Sequence, residues 1–113
     1  MSDYRPNSGD LVWIDFDPIR GRERGGRRPA LVVSPARFTE LTGLAVVCPI
    51  TTRVRPFPTS VVLPPGLPIE GEILVSAVRS VDILARPFRS AGAAVPADIA
   101  ANVRERLNLV IAI

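Results

Sequence analysis

Short apolar segments separated by turn-forming residues run along most of the chain. Residues 10–16 alternate so that Val12, Ile14 and Phe16 fall on one face of a predicted strand. Residues 30–34 are apolar on both faces, which is typical of a strand that is central in a barrel or covered by a partner chain. The same kind of pattern predicts further strands over residues 44–50, 59–63 and 71–75.

The segments between these strands carry turn and helix signals. Residues 36–41 predict one turn of helix that closes at Gly43, and residues 56–58 and 64–68 are proline-rich breaks. We expect residues 76–83 to form a short irregular or helical piece. Residues 85–90 predict a sixth strand, which Pro87 restricts to the edge of a sheet.

The last part of the chain predicts an amphipathic helix that begins at Pro96, with Asp98 placed favourably for the helix dipole. Its apolar stripe consists of Ile99, Val103, Leu107 and Val110. Residues 109–113 are apolar all round, so we expect this end to be buried or offered to another chain.

Five or six short strands followed by one helix predict a mainly β fold, a small β-barrel with a C-terminal helix packed on it. We expect residues 1–113 to form a single domain.

Composition excludes several kinds of chemistry. The 113 residues include no histidine, which removes imidazole acid–base catalysis, serine–histidine triads and histidine metal sites. The single cysteine, Cys48, lies in an apolar segment and is expected to be a buried core residue. Glycine-rich nucleotide-binding motifs are also missing from the sequence. We therefore expect no cofactor and no metal site built on histidine or cysteine.

The sequence shows no apolar run of 18 residues or more and no signal-peptide pattern at its N-terminus. These features predict a cytoplasmic protein that does not bind membranes. All 14 basic residues are arginines, and the net charge is +3. So small a net charge fits solubility as well as attraction to a polyanion, and the placement of the arginines is more informative.

Four arginines and one glutamate are concentrated in residues 21–29, between the first two predicted strands: Arg22, Glu23, Arg24, Arg27 and Arg28. The planar guanidinium matches phosphate oxygens two at a time, so such a loop is suited to bind an anion. The alternative is a solvated basic hairpin tip.

Several of these segments together are similar to the MazF/PemK/Kid toxin family. The resemblance is carried by residues 9–18, the glycine-rich loop, the Arg28-Pro29 pair before the second strand, and the Pro49-Ile50-Thr51 segment. It covers nearly the whole chain. It implies an SH3-like barrel that forms a homodimer and acts as a sequence-specific endoribonuclease. Such toxins cut single-stranded mRNA without a metal and are neutralised by an antitoxin.

The resemblance also assigns roles to individual residues. Arg28 and Thr51 fall on the two principal catalytic positions of the family, and Glu23 matches an acidic loop residue of some members. Arg79 and Ser80 match a basic-serine pair.

The sequence departs from the family pattern at three positions. Arg27 stands where some relatives carry histidine, and Ser76 and Ala77 replace an acidic residue and a glutamine of several others. The sequence at the cut site therefore cannot be taken over from relatives.

Metal-free RNA cleavage uses the neighbouring 2′-hydroxyl as nucleophile, and the enzyme must move two protons and stabilise added charge on phosphorus. Arg28 and Thr51 can stabilise that charge. Arginine is a poor base at neutral pH, so we nominate Glu23, the carboxylate of the loop, as the base. Its alternative role is an ion pair with a neighbouring arginine.

RNA binding is expected to involve a larger set of side chains. Phe57, in a proline-flanked loop, is the candidate for stacking on a base, with loop packing as its alternative role. Trp13 is expected to lie in the core. The predicted RNA-binding residues are Arg22, Arg24, Arg27, Arg53, Arg55, Phe57, Arg79 and Ser80.

A toxin of the same fold that acts by binding a protein, as gyrase poisons do, is the alternative function. Its functional surface would be residues 109–113, and the loop arginines would be dispensable. We expect the antitoxin to be an acidic, partly disordered chain that covers the basic surface.

Overall fold

The computed structural model describes residues 4–15 and 27–113. The strands are β1 (Asp10–Asp15), β2 (Arg27–Val32), β3 (Leu44–Thr51), β4 (Ser60–Val62), β5 (Glu72–Leu74), β6 (Arg79–Asp82) and β7 (Phe88–Ala94). The helices are α1 (Ala36–Thr42) and α2 (Ala97–Val110), and a short 3-10 turn spans Val75–Ala77. No helix within the described ranges has the length and apolar character needed to cross a membrane.

All strand pairs are antiparallel, and the hydrogen-bonded order is β4-β5-β3-β2-β1-β7. The strand β6 pairs with the first half of β3, while the last two residues of β3, Ile50 and Thr51, pair with β5. Within the described ranges, no pairing joins the end strands β4 and β7, so the sheet is open. A mainly antiparallel β fold with a C-terminal helix is confirmed, and the predicted SH3-like barrel is compatible with this open sheet.

The strand β2 is central, and both of its faces are covered by residues of the same chain. Leu31 belongs to one buried apolar cluster, which also contains Leu11, Cys48 and Ile73. Ala30 and Val32 belong to a second cluster on the other face. Of the two interpretations open for residues 30–34, a central strand is therefore the correct one, and its burial requires no partner chain.

The helix α2 packs on the first of these clusters. Val103 is 2% exposed, and Ile99 and Leu107 are half-buried against the cluster. The predicted stripe is confirmed over these three residues. Val110 and residues 111–113 are exposed on the single chain, so the tail is not buried within it.

Three elements differ most from prediction. The piece predicted as irregular or helical over residues 76–83 contains the strand β6, in which only Val81 is buried. One apolar residue among polar neighbours gives too weak an alternation to predict a strand. The sixth predicted strand begins later and extends further, as β7, although its edge position is confirmed. The strand β2 already begins at Arg27, so Arg28 lies in a strand and not in the preceding loop.

Candidate functional site

The C-terminal end of β3 and the N-terminal end of β2 meet at one edge of the sheet. The two strands pair from Val32 and Val47 to Ala30 and Pro49, and Arg28 and Thr51 each lie two residues beyond the last of these pairs. Arg28 also pairs with Ile14 of β1, and its side chain is exposed. The arginine and the hydroxyl predicted to act together thus lie on neighbouring strands.

Local hydrogen bonding fixes the hydroxyl of Thr51. The backbone N–H of Arg53 donates to Thr51 Oγ1 over 3.1 Å. This bond uses the oxygen as an acceptor and leaves the hydroxyl proton for another acceptor. The side chain can therefore donate to an anionic oxygen that comes to this end of the sheet.

A shallow, open depression lies beside Thr51, and we call it the β3–β5 depression. Four of its lining residues are predicted site residues: Thr51, Arg53, Arg55 and Phe57. The ring of Phe57 is 60% exposed, which leaves a face accessible for stacking. The remaining lining residues are Ser60, Glu72, Leu74 and Ser76.

Glu72 is a residue of the depression that sequence reasoning missed. It lies directly across from Thr51 in the β3–β5 pair, and it is 1% exposed. Its Oε1 accepts a hydrogen bond from the backbone N–H of Arg55 over 2.7 Å. Its Oε2 is buried and has no hydrogen-bond partner among residues 4–15 and 27–113. The signal in the sequence was a carboxylate inside an otherwise apolar strand, where an unpaired charge is costly to bury.

The other predicted site residues are placed around this edge or outside the described part of the chain. Arg27 pairs with Asp15 at the start of β2 and is exposed. Arg79 and Ser80 lie on β6 opposite Val47 and Val46, and they do not line the β3–β5 depression. The predictions for Arg22, Glu23 and Arg24 lie outside the described residues.

Cys48 is a buried core residue, as predicted, and it carries a free thiol. Burial raises the pKa of this thiol to about 12. The reactive thiolate is therefore suppressed at neutral pH, which argues against a nucleophilic role.

The residues at this edge of the sheet are mainly cationic and hydroxyl hydrogen-bond donors. The exposed residues Arg53 and Arg55 line the depression together with Thr51, and the exposed Arg28 lies on the neighbouring strand β2. Guanidinium and hydroxyl donors bind phosphate oxygens, and an exposed aromatic ring stacks on nucleobases. The arrangement is therefore suited to an extended nucleic-acid strand.

The comparisons with known proteins agree with this character. The family described as the PemK-like, MazF-like toxin of type II toxin–antitoxin systems matches residues 7–111. The chain is 36% identical over 111 residues to the endoribonuclease toxin MazF of Escherichia coli, covering 98% of each chain. It is 38% identical over 92 residues to the endoribonuclease toxin ChpB of the same organism, covering 76% of this chain and 78% of that one.

Solved structures give the same result. The crystal structure of MazF from Deinococcus radiodurans superposes with a TM-score of 0.87 at 43% identity, covering 98% of this chain and 100% of that one. A MazE–MazF complex from the same organism matches with a TM-score of 0.85 at 40% identity, covering 98% and 99% of the two chains.

Proposed function

The chain belongs to the PemK-like, MazF-like toxins of type II toxin–antitoxin systems, and from this premise we propose that it is a metal-independent endoribonuclease. It cuts single-stranded mRNA at a specific sequence and thereby stops translation and growth. The observation that carries the proposal is the whole-chain similarity to an endoribonuclease toxin. The placement of Arg28 and Thr51 on neighbouring strands supports it.

The reaction is an internal transfer at phosphorus. The 2′-oxygen of the nucleotide before the cut attacks the phosphorus, and the bond to the 5′-oxygen of the next nucleotide breaks. The 2′-hydroxyl gives up its proton and the departing 5′-oxygen gains one. The products carry a 2′,3′-cyclic phosphate and a 5′-hydroxyl.

Arg28 and Thr51 act on the charge that develops in this step. The guanidinium group donates two N–H bonds to the non-bridging oxygens, and the Thr51 hydroxyl donates one. A donor aimed at developing charge is worth about 3 kcal/mol, or about a hundredfold in rate. Glu23 is the proposed proton acceptor.

The RNA follows the arginines of this edge. Arg27, Arg53 and Arg55 contact the phosphates, and Phe57 stacks on a base. Arg22 and Arg24 extend the contact from the loop, and Arg79 with Ser80 extends it along β6.

The partners follow from the family. The relative from D. radiodurans was solved as MazE–MazF complexes, and an antitoxin is the corresponding partner here. We expect an acidic, partly disordered chain laid over the same arginines, which excludes RNA by occupying its phosphate sites. The toxin itself is a single-domain, cytoplasmic homodimer.

The test is to incubate the purified protein with a long single-stranded RNA in EDTA, beside the Arg28→Ala variant. The expected result is a set of discrete fragments from the wild type and intact RNA from Arg28→Ala. The matched control is Arg37→Ala, which removes an exposed arginine of α1 and leaves cleavage unchanged. Intact RNA from folded wild-type protein at several pH values would refute the nuclease and favour a toxin that acts by binding a protein.

A further inference from the structure

The buried carboxylate of Glu72 has no role in the reaction described above. We propose that Glu72 is a specificity-determining residue, whose carboxylate accepts a hydrogen bond from the exocyclic amino group of an RNA base bound in the β3–β5 depression. This inference rests on the proposed endoribonuclease function. It predicts that one position of the recognised sequence requires a base with an amino group.

Glu72 lies next to Thr51 in the β3–β5 depression. It lines the same depression as Thr51, Arg53 and Phe57, and it faces Thr51 across the β3–β5 ladder. Side chains directly opposite each other in an antiparallel pair lie on one face of the sheet, with Cβ atoms about 5 Å apart. A nucleotide whose phosphate is held at Thr51 therefore places its base within reach of Glu72.

The hydrogen bonding of the carboxylate is half complete. Oε1 accepts from the N–H of Arg55, whereas the buried Oε2 accepts from no group in the described part of the chain. A buried oxygen without a donor is unfavourable in the free protein, because the hydrogen bonds that water would supply are lost. A ligand that brings an N–H group removes that penalty on binding, and a ligand that brings only acceptors does not.

The segment beside the carboxylate is exposed along its whole length. Every residue from 52 to 58 is exposed, and the N–H of Arg55 in this segment donates to Glu72. For a base to reach Oε2, this exposed segment must shift while the N–H of Arg55 stays on Oε1. Phe57, in the same segment, then covers the face of the base.

The chemistry of a carboxylate decides which bases fit. An ionised carboxylate only accepts hydrogen bonds, so it pairs with the amino groups of cytosine, adenine or guanine. Uracil has no amino group, and the N3–H donor on its Watson–Crick edge lies between two carbonyl oxygens that repel the carboxylate. The depression therefore favours an amino-bearing base over uracil.

The experiment compares the cleavage motifs of the wild type and Glu72→Gln on an RNA pool randomised around the cut site. The substitution keeps the shape of the side chain and replaces one acceptor oxygen by an N–H donor. At one motif position the wild type is expected to prefer amino-bearing bases over uracil by about 10- to 100-fold. Glu72→Gln is expected to lose that preference or to shift it toward uracil, with the other positions unchanged. Glu70→Gln, which alters an exposed carboxylate two residues away, is the control and keeps the wild-type motif.

An unchanged motif in Glu72→Gln overturns the proposal, whether the rate stays the same or falls equally on all substrates. An equal fall would indicate that Glu72 supports the fold or the chemical step. Failure of the wild type to cut RNA would instead refute the proposed function.

A second measurement keeps the proposal testable if Glu72→Gln does not fold. Each base of the wild-type motif is replaced in turn by an analogue without its amino group: inosine for guanosine, purine riboside for adenosine and zebularine for cytidine. We expect one of these replacements to slow cleavage about 10-fold or more. A motif in which no amino group matters would overturn the proposal.

Discussion

At the scale of single residues, the site depends on how individual polar atoms are paired. The hydroxyl oxygen of Thr51 is held by the N–H of Arg53, and Oε2 of Glu72 has no partner among the described residues. The first arrangement orients a donor, and the second leaves an acceptor for a ligand. Both arrangements exist only in the folded protein, where β3 and β5 are paired.

The hydroxyl of Thr51 is predicted to act on the transition state. Thr51→Val keeps the shape and the strand propensity and removes the donor, so we expect the cleavage rate at saturating RNA to fall about a hundredfold. Single-turnover kinetics on a short RNA measure this directly. Thr52→Val, at the exposed neighbouring position, is the control and keeps its activity. A rate for Thr51→Val within a few-fold of the wild type would remove Thr51 from the mechanism.

The thiol of Cys48 is predicted to make the fold sensitive to alkali. Burial raises its pKa from 9.0 to about 12, so above pH 9 the unfolded chain loses a proton that the folded chain keeps. Stability therefore falls as pH rises, by about 1 kcal/mol between pH 9 and 10 for this one group.

Urea unfolding at pH 8, 9 and 10 measures that loss, and Cys48→Ala is the control. We expect the variant to be less stable than the wild type at pH 8 because of the cavity that it leaves. It should lose less stability from pH 9 to 10. Equal losses in both proteins would contradict the assignment.

Tyr4 also has a pKa that is raised by burial and by its hydrogen bond to Asp10. Its effect on the pH dependence of stability falls mainly above pH 10.

Residue types alone singled out the arginine-rich residues 21–29 and placed Cys48 correctly in the core. The roles predicted for Arg28 and Thr51 came from the resemblance to the toxin family. Glu72 was missed because its importance depends on pairing with Thr51, which lies 21 positions earlier in the chain. Such a juxtaposition is created by the fold.

At the scale of the elements, the β3–β5 junction positions the site. Gly71 precedes β5 with φ of +139°, a conformation that side chains rarely adopt. A Cβ at this position would collide with the carbonyl oxygen of Thr51. The close approach of the two strands therefore requires glycine.

Gly71→Ala is predicted to force β5 away from Thr51. We expect a loss of stability of about 3 kcal/mol, from backbone strain together with the collision, and a loss of RNA cleavage. Gly66→Ala is a matched control, because its φ is +97° and no atom lies within 4 Å of the added Cβ. Chemical denaturation should show a smaller loss for Gly66→Ala, about 1 kcal/mol. Equal losses would show that the junction tolerates a side chain.

Strands with a strong alternation of apolar and polar residues were predicted correctly, and strands with a weak alternation were not. Residues 10–15 and 44–51 combine alternation with β-branched residues, and both formed strands. The strand β6 has a single buried residue, Val81, and its pairing with β3 outweighs its weak local signal. The strand β2 extended back to Arg27 because pairing with Asp15 continues that far.

At the scale of the whole molecule, the exposed tail is the feature that a single chain leaves unexplained. Leu109 and Ile111 are 65% and 55% exposed. The apolar residues on both faces of β2 were the other reason to expect a dimer, but residues of the same chain cover both faces. Self-association is therefore predicted to depend on the tail.

Light scattering at micromolar concentration is expected to give twice the 12.2 kDa of one chain. Replacing Leu109 and Ile111 together by serine should shift the protein toward the monomer, because exposed apolar area is what such an interface buries. Leu84→Ser, at a residue that is 86% exposed elsewhere on the surface, is the control and leaves the dimer intact. A monomeric wild type would contradict the prediction.

The central claim is that this chain, which contains no histidine, cleaves RNA through the neighbouring 2′-hydroxyl without a metal. The most direct test maps the ends produced in EDTA from a short RNA and from the same RNA with one 2′-deoxynucleotide immediately before the cut. We predict 2′,3′-cyclic phosphate and 5′-hydroxyl ends from the first substrate and no cleavage of the second. Cleavage of the deoxy-substituted substrate, or fragments with 5′-phosphate ends, would contradict the account.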